Sequence, residues 1–249
     1  QRFEHDPDPD LQALFARRSD LADGFDVFAG FFTMPGEHSW RHTLHEQYRM
    51  DSRIAEVVSS AFYQASGGLE SPRGQRPHEL QYPDWIRNEA LVWVDSQTRS
   101  RATPYWRNDA EARDIASIVR LIIPDLQRQG KTLAILTPYR EQVELLQTSV
   151  AEHARLVSTI DAFQGREADV VIASMVRDHV SERDAPSASA GHVADSGRAN
   201  VLMSRARSLL IIIGNLDLYE NHAGDEWKQI IATTRAEGRI VSLAEADLA

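Results

Sequence analysis

The 249-residue chain carries a formal net charge of −10, is 42% hydrophobic and contains no cysteine. Its size and apolar content suffice for a buried core, and without cysteine it forms neither disulfides nor thiolate metal sites. The acidity argues against nucleic-acid binding by overall charge and leaves room for a local basic groove.

No apolar run approaches the ~18 residues that span a bilayer. The opening "QRFEHDPDPD" lacks a signal-peptide pattern. A cytoplasmic location with no membrane partner is expected. Residues 1–42 read as a tail or the remnant of an upstream domain, and within them and just beyond lie His38, His42 and His45. The HExxH pattern that would make such spacing a zinc site is absent, because Gln47, Tyr48 and Arg49 follow Glu46. No metal site is expected.

The strong pattern runs from residue 43 to about 222. Gln47, Tyr48 and Arg49 close a short strand before a helix at 51–62, which Asp51 or Ser52 can cap. Residues 64–88, rich in Gly, Pro and polar side chains, read as a long loop. Apolar runs at 90–94, 132–137, 156–160, 170–175 and 209–213 read as strands buried on both faces. Helical periodicity marks 109–129, 139–153, 198–207 and 226–237, and 223–249 is expected to be a helix and tail. Residues 178–197, small and polar, form a second long loop. Strands alternating with helices predict an α/β domain with a mostly parallel sheet covered on both sides. Sheets of that kind bind ligands at the carboxyl ends of their strands, which directs the search there.

One triplet invites a misreading. Gly130-Lys131-Thr132 ends like a P-loop, yet the earlier glycine such a loop needs is replaced by Asp125. The order is also reversed, because a helix enters the triplet and a strand leaves it, whereas a phosphate cradle follows a strand and opens a helix. Gly130 is therefore expected to end a helix. At Pro138 a strand gives way to a helix, leaving the Thr137 hydroxyl and nearby amides at a helix N-terminus suited to a phosphate. In "STIDAFQGREADVV" two acids, an amide and an arginine crowd between strands. In "GRANVLMSRARSLLIII" Val201, Ser204 and Ser208 are placed on one helical face, with Asn200, Arg198, Arg205 and Arg207 close by. Arginine suits bidentate phosphate recognition.

In this order, "EQYRM", "RNDAEA", "TPYREQ", "TIDAFQGREAD" with "SMVRD", and "NVLMSRAR" resemble the second RecA-like domain of superfamily 1 helicases, in the branch that includes the nonsense-mediated-decay RNA helicase and its DNA-directed relatives. The resemblance covers roughly 43–220. It implies a RecA-like fold without its own P-loop, with ATP and Mg²⁺ bound mainly by a first RecA-like domain, and a single strand of DNA or RNA as partner. Arg49 and Arg205 are implied to be arginine fingers reaching the γ-phosphate. Gln47 and Tyr48 would lie beside the nucleotide, and Gly165 and Glu167 would border its phosphate and ribose side. Thr137, Pro138, Thr159, Ser174 and Arg177 would face the nucleic-acid backbone. Arg207 is assigned no phosphate contact. Two departures stand out: Leu202-Met203-Ser204 replaces the family's usual Ala-Leu-Thr, and "GHVADSG" lacks the phenylalanine of its Gly-Phe-Leu.

The expected function is the C-terminal motor domain of an ATP-dependent helicase, inactive as an ATPase by itself. The alternative is a non-catalytic nucleic-acid- or protein-binding module on the same fold. A nuclease is not expected, since no acidic cluster followed by Lys stands out.

Overall fold

A computed structural model describes residues 44–97, 106–180 and 186–246. Six strands form one parallel sheet in the order β3-β2-β4-β5-β1-β6. They are β1 (Leu91–Asp95), β2 (Leu133–Thr137), β3 (Val157–Thr159), β4 (Ala168–Ser174), β5 (Ala206–Gly214) and β6 (Arg239–Ser242). The helices are α1 (Ser52–Val58), continued by a π turn to Tyr63, α2 (Asp109–Arg128), α3 (Arg140–Val150), α4 (Ser196–Met203), α5 (Leu216–His222) and α6 (Asp225–Glu237).

Side chains alternate faces along each strand, so the apolar runs supply two cores at once. Leu91, Trp93, Ala134, Leu136, Val171, Ala173, Leu210 and Ile212 pack under α1, α4, α5 and α6. Val92, Val94, Leu133, Ile135, Val170, Ile172, Leu209, Ile211 and Ile213 pack under α2 and α3. The fold is of the RecA-like α/β type, a parallel sheet with helices on both faces.

Several expectations change. No strand precedes Gln47 among the described residues, only an isolated bridge between Glu46 and Glu70, and the loop expected at 178–197 holds a 3₁₀ stretch, Pro186–Ala194, with Ala190 and Val193 buried. The helix placed at 198–207 ends at Met203, and β5 begins at Ala206, so Ser208 shares no helical face with Val201 and Ser204. The polar run Ser204 to Ser208 hid the strand's entry. Residues 239–242 are a sixth strand rather than tail, pairing with β1 through Val92 to Asp95. The stretch 64–88 is no bland loop, since Leu80, Trp85 and Ile86 are buried in the second core.

Gly130 does end α2. It has φ 63°, its N–H donates to Gln127 O at 3.2 Å, and the Lys131 N–H donates to Leu126 O at 2.9 Å. That pair of bonds is a Schellman cap. Thr132 then turns its N–H and hydroxyl onto Asp169 Oδ2, at 2.9 and 2.7 Å. The Gly-Lys-Thr triplet closes a helix and ties its exit to β4.

Candidate functional site

All six strands run in one direction, so residues that precede strands gather along the amino edge and residues that follow them gather along the carboxyl edge. Five-residue strands separate the two edges by roughly 15–20 Å. Gln47, Tyr48 and Arg49 sit with Glu167, just before β4, and Arg205, just before β5, on the amino edge. Thr137, Pro138, Thr159, Ser174 and Arg177 end β2, β3 and β4 or follow them on the carboxyl edge. The residues implied at the nucleotide and those implied at nucleic acid thus lie at opposite edges. The carboxyl ends, to which the sequence directs the search, carry the second set only. The arginines reach the amino edge because they enter β4, β5 and α1 from their starts.

At the amino edge the turn is built by Gln47. Its Oε1 accepts the Arg49 and Met50 N–H groups at 3.0 and 2.8 Å, and its Nε2 donates to Met50 O and Ser71 Oγ at 3.0 and 2.7 Å. Gln47 therefore presents Arg49 from a fixed turn. Asp51 locks the other side as the cap of α1, accepting from the Arg53 and Arg76 N–H groups, while its own N–H donates to Arg207 O at 2.7 Å. Tyr48 stays half exposed, with Oη donating to Glu46 at 2.5 Å and the Arg73 guanidinium 5.6 Å from its ring centroid. The Glu46 carboxylate pushes the Tyr48 phenol above its ordinary range.

Glu167 bridges two arginines. Its Oε2 accepts from Arg49 Nε at 2.6 Å, and its Oε1 accepts from Arg207 Nε at 3.0 Å and from Arg207 Nη2. Those guanidinium groups, Arg207 foremost, hold the Glu167 carboxyl below the usual carboxylate range against the effect of burial. Ser204 joins Arg49 to Arg205: its carbonyl accepts from Arg49 Nη1 at 3.1 Å, and its hydroxyl accepts from Arg205 Nη2 at 2.9 Å. Arg205 is 9% exposed and also donates to Val201 O at 2.9 Å and to Arg166 O at 3.2 Å. Burial lowers its pKa, and the like charge of Arg49 adds to the effect. Arg49 and Arg205, joined through Ser204, with the Glu167 carboxylate divided between Arg49 and Arg207, make a field that favours an incoming anion. Gly165, two residues before Glu167, is exposed, with φ 82° and nothing within 4 Å of where a Cβ would stand; the backbone conformation favours glycine there. An adjoining cleft of about 470 Å³ is lined by Arg73, Arg76, Lys131, Asp169 and Arg207, among others.

Arg207, grouped by the sequence with Asn200, Arg198 and Arg205 and given no phosphate contact, is placed within this cluster. It was expected on a helix; as the second residue of β5 it reaches Glu167 and lies 3.9 Å from Asp169.

At the carboxyl edge the picture is mixed. Thr137 and Ser174 are both 0% exposed, so in this conformation neither side chain faces a nucleic-acid backbone. The Thr137 hydroxyl is buried without a hydrogen-bond partner among the described residues, whereas Ser174 belongs to a buried polar network. Ser174 Oγ donates to Glu111 Oε1 at 2.5 Å and accepts from Gln142 Nε2 at 3.1 Å. Glu111 also accepts the Val176 N–H, Asn108 Nδ2 donates to Val176 O at 3.0 Å, and the Asn108 N–H donates to Gln142 Oε1 at 2.8 Å. Val176 holds φ 72°, a costly conformation for a β-branched residue. Burial drives the Glu111 pKa up to about 8, offset in part by the bonds from Ser174 and Val176. Pro138, Thr159 and Arg177 remain partly exposed, and the register Thr137↔Thr159 sets the ends of β2 and β3 side by side. Of the histidines His38, His42 and His45, the first two lie outside the described residues. Among those described, no group of three or more His, Asp or Glu could hold a metal.

A family described as an AAA domain matches residues 29–217. A protein named as a probable helicase in Dictyostelium discoideum is 26% identical over 232 residues, which are 91% of this chain and 23% of that protein. The DNA polymerase alpha-associated DNA helicase A of Saccharomyces cerevisiae is 28% identical over 198 residues, 71% of this chain and 28% of its own length. The regulator of nonsense transcripts 1 homolog of Drosophila melanogaster is 30% identical over 185 residues, 69% of this chain and 15% of its own. The chain spans under a third of the length of these relatives.

Proposed function

The chain belongs to the AAA-domain family of superfamily 1 helicases, and on that premise we propose that it acts as the second RecA-like domain of an ATP-dependent helicase or translocase. Its partners would be a first RecA-like domain of the same protein and a single strand of DNA or RNA. The observation that carries this reading is the amino-edge cluster, in which Arg49 and Arg205 share Ser204 and crowd their charges beside Glu167.

The donor set fits a triphosphate and does not fit Mg²⁺. Arg49 and Arg205 would hold the terminal phosphate, and Tyr48 and Gly165 would lie along the nucleotide. ATP, when bound, supplies the phosphoryl group whose transfer to water releases the free energy for movement. This chain's own contribution is electrostatic. Arg205 is held on Val201, Arg166 and Ser204, so it needs no reorganisation as negative charge builds, and burial strengthens its field. Arg49 can trade Glu167 for phosphate, since the carboxylate retains Arg207. A complete arginine finger is worth about 10³–10⁵ in rate.

The segment from Thr159 to Glu167 runs from the carboxyl edge of β3 to the amino edge of β4. It offers one covalent path between the nucleic-acid side and the nucleotide side. Steady-state ATPase kinetics of the intact protein with single-stranded nucleic acid test the reading. Arg205→Ala should lower kcat by at least about a hundredfold with a much smaller change in nucleotide affinity; near-normal turnover in that variant would refute the finger assignment.

A further inference from the structure

We propose that His192 is a stacking platform for a base of single-stranded nucleic acid at the carboxyl edge, an inference that rests on the nucleic-acid reading above. The 3₁₀ stretch Pro186–Ala194 kinks at Gly191, which has φ 63° and ψ −134°. A Cβ there would stand 1.9 Å from Tyr139 Oη and 2.9 Å from Arg177 Nε, so only glycine lets the chain pass this close. The close pass lays the His192 ring on Tyr139, with ring centroids 4.7 Å apart and planes inclined by 35°. Two hydrogen bonds hold it in place, one between His192 Nδ1 and Pro138 O at 3.2 Å and one from the His192 N–H to Tyr139 Oη at 3.3 Å.

Tyr139 is the fixed wall behind the imidazole. It is 6% exposed, and its Oη accepts from Arg177 Nε at 3.0 Å. His192 itself remains exposed. A ring serving only to fill the core would be buried; this one is backed, aimed and open. It stands where Pro138 leaves β2, and the Arg177 guanidinium is 5.8 Å from the Tyr139 centroid in the same cluster. An open aromatic face beside a cation is how single strands are held without sequence preference, because every base has a π-face. A duplex keeps its bases stacked on one another and has none to offer.

Fluorescence anisotropy of the intact protein tests this with labelled oligo(dT) and oligo(U), each with and without abasic positions. His192→Ala should weaken binding of the unmodified strands by roughly five- to a hundredfold, and His192→Phe should restore it to within about threefold of wild type. Abasic positions should weaken the wild type and leave His192→Ala nearly unchanged. Wild-type affinity in His192→Ala, or a Phe variant as weak as the Ala variant, overturns the platform while leaving the nucleic-acid reading intact. A wild-type protein that binds neither strand overturns that reading and the platform with it.

Discussion

Glu167 accepts from Arg49 through one carboxylate oxygen and from Arg207 through the other, so under the proposed function Arg207 would position Arg49. Arg207→Ala should free Glu167 to hold Arg49 more tightly, lowering kcat by about tenfold, with partial recovery in Arg207→Lys, which keeps the charge without the fork. A kcat unchanged in Arg207→Ala would show that the pairing is only a surface ion pair, of the kind that contributes little. Arg49→Ala is expected to behave like Arg205→Ala. The Arg49, Arg205 double variant should lose less than the product of the two single losses, because both act on one phosphoryl group; multiplicative losses in the same kinetics would mean that the two act separately. Arg49, Glu167 and Arg205 were legible as motif residues. The role of Arg207 was not, because it depends on whether position 207 is helix or strand, and Arg205-Ala206-Arg207-Ser208 carries no apolar period to decide.

Elements α2, α3 and β4 meet in the network of Asn108, Glu111, Gln142 and Ser174. Three separate motifs, "RNDAEA", "TPYREQ" and "SMVRD", supply it, so their function in the fold is to fix one another and the strained turn at Val176. The motifs could be read singly along the chain, but their convergence could not: Glu111 and Ser174 are 63 positions apart, and only the sheet order brings them together. Strands β1 to β5 were legible for the same reason that the network was not, since burial on both faces writes a local apolar run; β6, at the sheet edge and only partly buried, writes none. The burial of Ser174 was not legible because a polar residue at a strand end looks alike whether it faces a ligand or, as here, a buried carboxyl. Glu111 gives a test. Its folded pKa lies near 8 against an ordinary value of 4.5, so the folded state keeps a proton that the unfolded state releases. The resulting stability is fully present below about pH 4.5 and is lost progressively as pH rises toward 8. Glu111→Gln keeps an acceptor and a donor without titrating. Melting temperatures of the two proteins should diverge in favour of the Gln variant between about pH 5 and 8 and then level. Parallel curves would show that Glu111 is not buried as a neutral acid.

At the scale of the whole molecule, the sheet separates a cationic amino edge from a carboxyl edge bearing the nucleic-acid candidates, and the loop from Thr159 to Glu167 joins them. In a chain with a net charge of −10, Arg49, Arg205 and Arg207 gather at the amino edge, where the proposed phosphate contact would be made. Under the proposed function this chain completes a nucleotide site and does not hold one. Its Gly-Lys-Thr triplet is a helix cap, with Gly130 and Lys131 N–H groups spent on Gln127 and Leu126, so Lys131→Ala should leave the ATPase rate of the intact protein within about twofold of wild type, whereas a P-loop lysine would be indispensable. The direct measurement is calorimetric titration of the 249-residue chain with a non-hydrolysable ATP analogue and Mg²⁺. Arginine fingers act mainly as charge develops, and the phosphate cradle that dominates ground-state affinity is missing, so the dissociation constant should be on the order of millimolar or too weak to detect. A micromolar constant would contradict the account.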